Sequence, residues 1–292
     1  MSLTIILEEE TDYTHHDQLF KELIHIFFEE FLEAFFPEVH HHIDFNSIKP
    51  LSEEVFTDLF EGESRKADIV IETKLKNMDT IIIIHVEPQS YGQQNFHERM
   101  YLYYSLLYNK YRKPILPIAI FSYDEIRTEK NEFKIQFPFF HVLTFNFLML
   151  ELKKTNWRNY IQTNNPVAAA LLSKMGYTQD ERIRVKKEFL RMIAKMELDP
   201  AKMRYIIGFF ERYLSLNKYE EEVLMKEIKQ YNESREIPHL PISWEEKGRE
   251  EGISQGKREV ALEMLKEGAS IDFIVKVTQL SRESIKKLRK TL

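Results

Sequence analysis

Residues 67–89 constrain the fold of this chain more than any other stretch, because they read as two strands joined by a turn. Ala67-Asp68-Ile69-Val70-Ile71-Glu72 alternates small or apolar residues with others. Asn77-Met78-Asp79 supplies short polar side chains that tolerate a tight turn. Ile81-Ile82-Ile83-Ile84-His85-Val86 is β-branched throughout except for its histidine, the pattern of a strand buried on both faces. The run closes on Glu87-Pro88-Gln89, and a proline, having no N–H to donate, belongs at a strand end or on an edge.

Folding back near Asn77-Met78 sets Asp68 opposite Glu87, and Glu87 shares a face with Gln89 because strand side chains alternate. Asp68, Glu87 and Gln89 are then expected to converge at one end of the hairpin. Two carboxylates held together repel unless a proton or cation relieves them. Hard oxygen ligands suit Mg²⁺ or Mn²⁺, and a divalent metal there activates water and offsets charge on a phosphodiester. The plainer alternative is a strand end carrying solvated acids. A rival set also exists: Glu72-Thr73-Lys74 is a literal E-x-K with Asp58 upstream. Its lysine suits phosphodiester chemistry better than Gln89 does, but Glu72 and Lys74 lie towards the turn, where exposed charge is commonplace. The preferred set is Asp68, Glu87 and Gln89.

Elsewhere the pattern is mixed, then helical. Leu19, Phe20, Leu23, Ile24, Phe27, Phe28, Phe31 and Leu32 recur at helical spacing behind Asp17, and Pro37 is expected to end that helix. His40-His41-His42 is adjacent rather than spaced, so three rings cannot easily share one metal, and with no partner motif the triplet reads as structural. His15-His16 reads the same way. Phe45 to Ile48 opens a strand, and 53–60 forms a short element carrying Asp58. Phe96, Met100, Tyr103, Tyr104, Leu107 and Tyr108 mark a long amphipathic helix over 93–111. Ile118 to Phe121 reads as a buried strand, and residues 139–150 read likewise. Helices are expected over 166–175, 180–196, 200–216 and 219–231. A strand–helix–strand order of this kind is α/β.

The residues on which a family likeness rests are now in view. They are His16-Asp17-Gln18-Leu19-Phe20-Lys21-Glu22, Lys66-Ala67-Asp68-Ile69-Val70, Ile84-His85-Val86-Glu87-Pro88-Gln89, Arg99-Met100 with Tyr103, and Asn165-Pro166-Val167-Ala168-Ala169-Ala170-Leu171-Leu172. Together they resemble the PD-(D/E)XK nuclease superfamily, and more closely the Rpn family of recombination-promoting nucleases, also known as YhgA-like transposases. The likeness runs over nearly the whole chain. It implies an α/β fold with a restriction-endonuclease-like core, a mixed sheet flanked by helices in αβββαβ order, followed by an all-helical C-terminal region. It implies a metal-dependent DNA endonuclease linked to recombination, mobile DNA or phage defence. Asp68 and Glu87 would hold Mg²⁺, with Mn²⁺ as an alternative, Gln89 would orient water or phosphate, and Glu22 would be a further carboxylate. Lys21, Arg99 and Tyr103 would lie near the nucleic acid. One departure is plain: the superfamily's third motif commonly ends in lysine, and Gln89 cannot supply positive charge.

The C-terminal segment is read as a separate module. Ile237-Pro238-His239-Leu240-Pro241 is the clearest linker, so the expected divisions are a nuclease core over 1–155, bracing helices over 156–236, and 237–292 as linker, glycine-spaced helix and helical pair. Gly248, Gly252 and Gly256 recur every fourth residue and invite close approach by another helix, as in a homo-oligomer. Ser270 and Ser281 are N-caps of two short helices arranged like a helix-turn-helix. Lys286 and Lys287 make the second helix basic and are candidate contacts for double-stranded DNA.

A net charge of −6 over 292 residues opposes tight, constitutive nucleic-acid binding, which relies on a basic face. The absence of cysteine excludes disulfides and thiolate metal sites. Met1-Ser2-Leu3 soon turns acidic, unlike a secretory signal, and no apolar run suits a bilayer, so a cytoplasmic protein with no membrane partner is expected. From a different class, the runner-up is a non-catalytic DNA-binding or assembly protein that keeps the nuclease fold.

Overall fold

The computed structural model describes residues 16, 18–51, 69–78, 81–89, 95–230, 256–267 and 269–289. The chain divides into two compact units, Met1–His239 and Leu240–Leu292. The first is α/β and is built on a five-stranded mixed sheet.

Its helices and strands follow in the order α1 (18–26), α2 (Phe28–Phe35), α3 (Pro37–His42), β1 (Ile43–Pro50), β2 (Ile69–Leu75), β3 (Ile81–Gln89), α4 (Phe96–Tyr111), β4 (Ile115–Phe121), β5 (Glu132–Phe137), β6 (Phe140–Asn146), β7 (Leu148–Glu151), α5 (Pro166–Leu171), α6 (Arg182–Ala194), α7 (Pro200–Tyr213) and α8 (Lys218–Gln230). The sheet order is β1-β2-β3-β4-β7. β1, β2 and β3 are antiparallel neighbours, whereas β3, β4 and β7 run parallel. Asn77, at φ 60°, turns β2 into β3, a left-handed position that asparagine adopts more readily than most residues.

β3 is the centre of the sheet, and every residue from Ile82 to Gln89 is buried. Pro88 therefore sits inside a central strand, and the direction of its missing donor explains how. Ile83 N donates to Pro114 O at 2.9 Å, and Gln89 O accepts from Ser122 N at 2.9 Å. Odd residues of β3 thus face β4. Pro88 lacks its N–H on the β2 side, beyond the pairing of Ile69 with Val86, so the β3–β4 ladder stays intact.

The two faces of the sheet carry different packing. On one, α4 lays Phe96 and Met100 against Ala119 and Phe121, and Tyr103 and Leu107 against Val70 and Ile83. On the other, Ile82, Ile84, Val86, Ile118 and Ile120 are buried as well, as expected for parallel strands covered on both sides. Among the helices, α5 contacts α2, α6 and α7. Phe20 of α1 meets Phe209 of α7 edge-on at 5.1 Å between ring centroids.

A helix does end ahead of Pro37, as the sequence predicts, whereas residues 139–150 depart from the expectation. Helix α2 stops at Phe35 and Pro37 opens α3 as its first residue, a position where a missing N–H costs nothing. Residues 139–150 do not form one buried strand. They split into the turn residue Phe139, β6, whose Phe140 and Val142 are exposed like Phe139, and the short sheet strand β7. Among the described residues β6 pairs only with β5, in an antiparallel ribbon that lies between β4 and β7 in the chain. Apolar content alone made β6 look internal. Its partner was legible as the alternation Phe133, Ile135, Phe137 with Glu132, Lys134, Gln136.

The second unit contains α9 (256–266), α10 (Ile271–Thr278) and α11 (Arg282–Arg289), closed over Ala261, Ile274 and Ile285. Ser270 caps α10, its side chain accepting from Phe273 N at 3.3 Å, and Ser281 Oγ accepts from Ser284 N at 3.1 Å. Gln279 adopts φ 59° between α10 and α11, where glycine is the easier residue. Among the described residues of the chain, a methyl group added to Gly256 would meet nothing within 4 Å. Gly248 and Gly252 lie outside the described residues. Among the described residues no helix is long and apolar enough to cross a membrane.

Candidate functional site

β3 delivers His85, Glu87 and Gln89 to the α4 side of the sheet, since odd positions share a face. Helix α4 returns Arg99 and Tyr103 over them, four residues apart and so one above the other. Glu87 is only 4% exposed and His85 0%. A buried carboxylate is costly without partners, and both its oxygens have them. His85 Nε2 lies 3.2 Å from Glu87 Oε2, and Arg99 Nη2 lies 3.3 Å from Glu87 Oε1. An ionised carboxylate only accepts, so that contact places the His85 proton on Nε2. Arg99 Nη2 also donates to Gln89 Oε1 at 2.5 Å. Its guanidinium lies against two rings, 4.9 Å from the centre of Phe96 and 5.8 Å from that of Tyr103. Tyr103 meets the His85 ring at right angles, 5.6 Å between centroids. His85 Nδ1 has no hydrogen-bond partner among the described residues.

The structure therefore brings Glu87, Gln89, Arg99 and Tyr103 together and adds His85, which the sequence reading passed over. The signal was present: a histidine interrupting an isoleucine run, two residues before Glu87, must share its face. Asp68 lies outside the described residues. The β2–β3 register, Ile69 opposite Val86 and Val70 opposite His85, is the one on which its pairing with Glu87 was expected.

Glu22 and Lys21 line another feature, a cleft of about 210 Å³ between α1 and the strand edge, with His25, Ile26, Pro50, Leu51 and Ile69 to Ile71. Gln18 Nε2 donates to Glu22 Oε1 at 3.1 Å. Burial first, and then the Glu22 carboxylate, raise the pKa of the Tyr205 phenol on α7.

The rival set is arranged differently. Glu72 is held in an ion pair by Lys113, Lys74 is exposed, and Asp58 lies outside the described residues. In the histidine triplet, His42 Nδ1 is 2.7 Å from Glu38 O, and His40 Nε2 is 3.6 Å from Glu29 Oε1. The α11 backbone is helical at Lys286 and Lys287, but their side chains lie outside what is described.

Among the described residues no group of three His, Asp or Glu side chains is placed to hold a metal ion. The donor chemistry at β3 nonetheless fits a hard cation in part. Glu87 Oε1 and Gln89 Oε1 converge on one positively charged nitrogen of Arg99, and carboxylate and amide oxygens are the ligands that Mg²⁺ takes. Comparison of the chain with family models, with curated proteins and with solved structures finds no match.

Proposed function

We propose that the chain is a metal-dependent DNA endonuclease with a PD-(D/E)XK-type core, hydrolysing phosphodiesters at the end of β3. The observation that carries this reading is the convergence of Glu87 and Gln89 oxygens on Arg99 at a buried strand end beneath a helix. Mg²⁺ or Mn²⁺ held by Glu87 and Asp68 would supply Lewis acidity and an activated water. Glu87 contributes the charged oxygen, and the His85 N–H holds that carboxylate in one orientation. Gln89 orients a water or a phosphate oxygen through its amide. Arg99 adds the positive charge that Gln89 lacks, in a planar fork matched to phosphate. Double-stranded DNA is the substrate and the cytoplasm the expected compartment, both on the strength of the family resemblance.

A second reading has its own observation. Both oxygens of Glu87 are already engaged, by His85 and Arg99, so the cluster is a satisfied ion pair that a non-catalytic DNA-binding or assembly protein could retain for structure. Supercoiled plasmid separates the two. The enzyme nicks or linearises it in Mg²⁺ but not in EDTA; Glu87→Gln and Asp68→Ala lose cleavage, and Glu72→Ala keeps it. Loss only in Glu72→Ala moves the site to the rival set. Intact plasmid in Mg²⁺, with equal duplex binding in EDTA, establishes the non-catalytic reading.

A further inference from the structure

Arg99 and a divalent cation compete for the same carboxylate. Its Nη2 lies 3.3 Å from Glu87 Oε1, the described carboxylate oxygen that a metal would take, and 2.5 Å from Gln89 Oε1 beside it. Mg²⁺ demands oxygen ligands at about 2.0–2.1 Å and gives up its waters reluctantly. A guanidinium and a divalent ion brought onto one carboxylate oxygen also repel each other strongly where water is scarce. The arginine must leave before the cation can seat.

Arg99 projects from the first turn of α4, and its guanidinium lies near the rings of both Phe96 and Tyr103. Its side chain is 15% exposed, against 5% for that of Glu87, so solvent reaches the arginine more readily than the acid. A phosphate arriving from solvent offers the same fork a doubly accepting, fully charged partner.

We propose that Arg99 is a displaceable counter-ion. A phosphodiester draws it off Glu87 and Gln89, and only then is the Glu87 carboxylate open to the metal. Nucleic acid and metal therefore bind cooperatively, and Arg99 is the residue that couples them. This rests on the metal-dependent reading above and extends it: the free protein stores its site in a cation-filled, metal-poor form. By linkage, duplex must tighten metal binding by the same factor as metal tightens duplex binding.

The test measures Mn²⁺ binding by electron paramagnetic resonance of the free ion, with and without a short phosphorothioate duplex. Glu87→Gln serves to subtract unrelated sites. In the intact chain, saturating duplex should tighten Mn²⁺ binding by about tenfold or more, within the range of ordinary coupling. Arg99→Met should bind Mn²⁺ about tenfold more tightly than the unaltered protein with no duplex present, and duplex should add little. Arg99→Lys, which keeps the charge without the fork, should fall between them, and it decides the matter if Arg99→Met does not fold. If Arg99→Met, or failing it Arg99→Lys, binds Mn²⁺ no more tightly than the unaltered protein while that protein nicks plasmid, the counter-ion role is refuted and the nuclease reading stands. If no Mn²⁺ binds at Glu87 with or without duplex and plasmid stays intact, both fall.

Discussion

Asn165 joins α5 to the N-terminal helices, and its four hydrogen bonds allow a sharp test of what holds that junction. Oδ1 caps α5 by accepting from Val167 N at 3.1 Å and Ala168 N at 3.0 Å. Nδ2 donates to Glu30 O at 2.8 Å and to Glu33 Oε2 at 2.9 Å. The residue is 4% exposed, so water cannot replace these partners. Losing an N-cap costs about 1 kcal/mol. The bond to Glu30 O is worth about 1 kcal/mol, and the charged one to Glu33 about 1.5–3 kcal/mol. Asn165→Ala should therefore destabilise the first unit by about 4 kcal/mol. Asn165→Asp divides the contributions. It keeps the cap, which a negative charge at a helix N-terminus favours, but it turns a carboxylate towards Glu33 and Glu30 O. It should cost at least about 3 kcal/mol, and adding Glu33→Gln should recover at least about 1 kcal/mol by restoring a donor. Urea unfolding, followed through the buried Trp157 in a Trp244→Phe background, gives the midpoints. An Asn165→Asp protein within about 0.5 kcal/mol of its parent would refute the reasoning, because the cap alone would then matter.

Two further outcomes follow from tightly packed positions. A methyl group on Gly176 would stand 2.5 Å from the backbone oxygen of Lys153, which cannot yield as a side chain would. Gly176→Ala should lower stability by about 1–3 kcal/mol, and an unchanged melting temperature would contradict this. Lys174 is buried, with the exposed Asp124 carboxylate 2.7 Å from its Nζ, and burial lowers its pKa despite that partner. Between the lowered folded value and the ordinary unfolded one the unfolded chain binds the extra proton, so stability rises with pH through that window. Lys174→Met should be more stable near neutrality by on the order of 1 kcal/mol and should lack this rise, as urea midpoints at neutral and alkaline pH will show. A variant that is less stable at neutrality and keeps the same slope would overturn the assignment.

The parts of this fold that could be read in the chain are those where one physical rule dominates. An isoleucine run with a turn before it fixes β2, β3 and their register, because a one-residue slip would turn every side chain to the wrong face. Alternation then sets Glu87 beside Gln89. The helical stripe Phe96, Met100, Tyr103, Leu107 places α4 on the sheet. Arg99 is different. No local rule says that its guanidinium lands on Glu87 and Gln89, since that depends on how the crossover from β3 to β4 tilts the helix. It was singled out through family likeness instead. His85 was missed because a lone histidine in an apolar run looks like a packing residue, although its spacing to Glu87 carried the information. β6 was misread because tertiary context, rather than hydrophobicity, decides whether an aromatic strand is covered.

Parallel neighbours such as β4 and β7 must be bridged by a long return path, most often a helix. Here the path is an outstretched ribbon whose far end carries Phe139 at 87% exposure. Its base is clamped by Phe133 and Phe145 against Tyr101 and Tyr104 of α4, and the order of the sheet is set without its tip. Residues can be spliced in or trimmed at Pro138-Phe139 with no change of register below. That apex is the natural place to attach a fluorophore or graft a recognition loop, and the place where length should drift most freely among chains built on this plan.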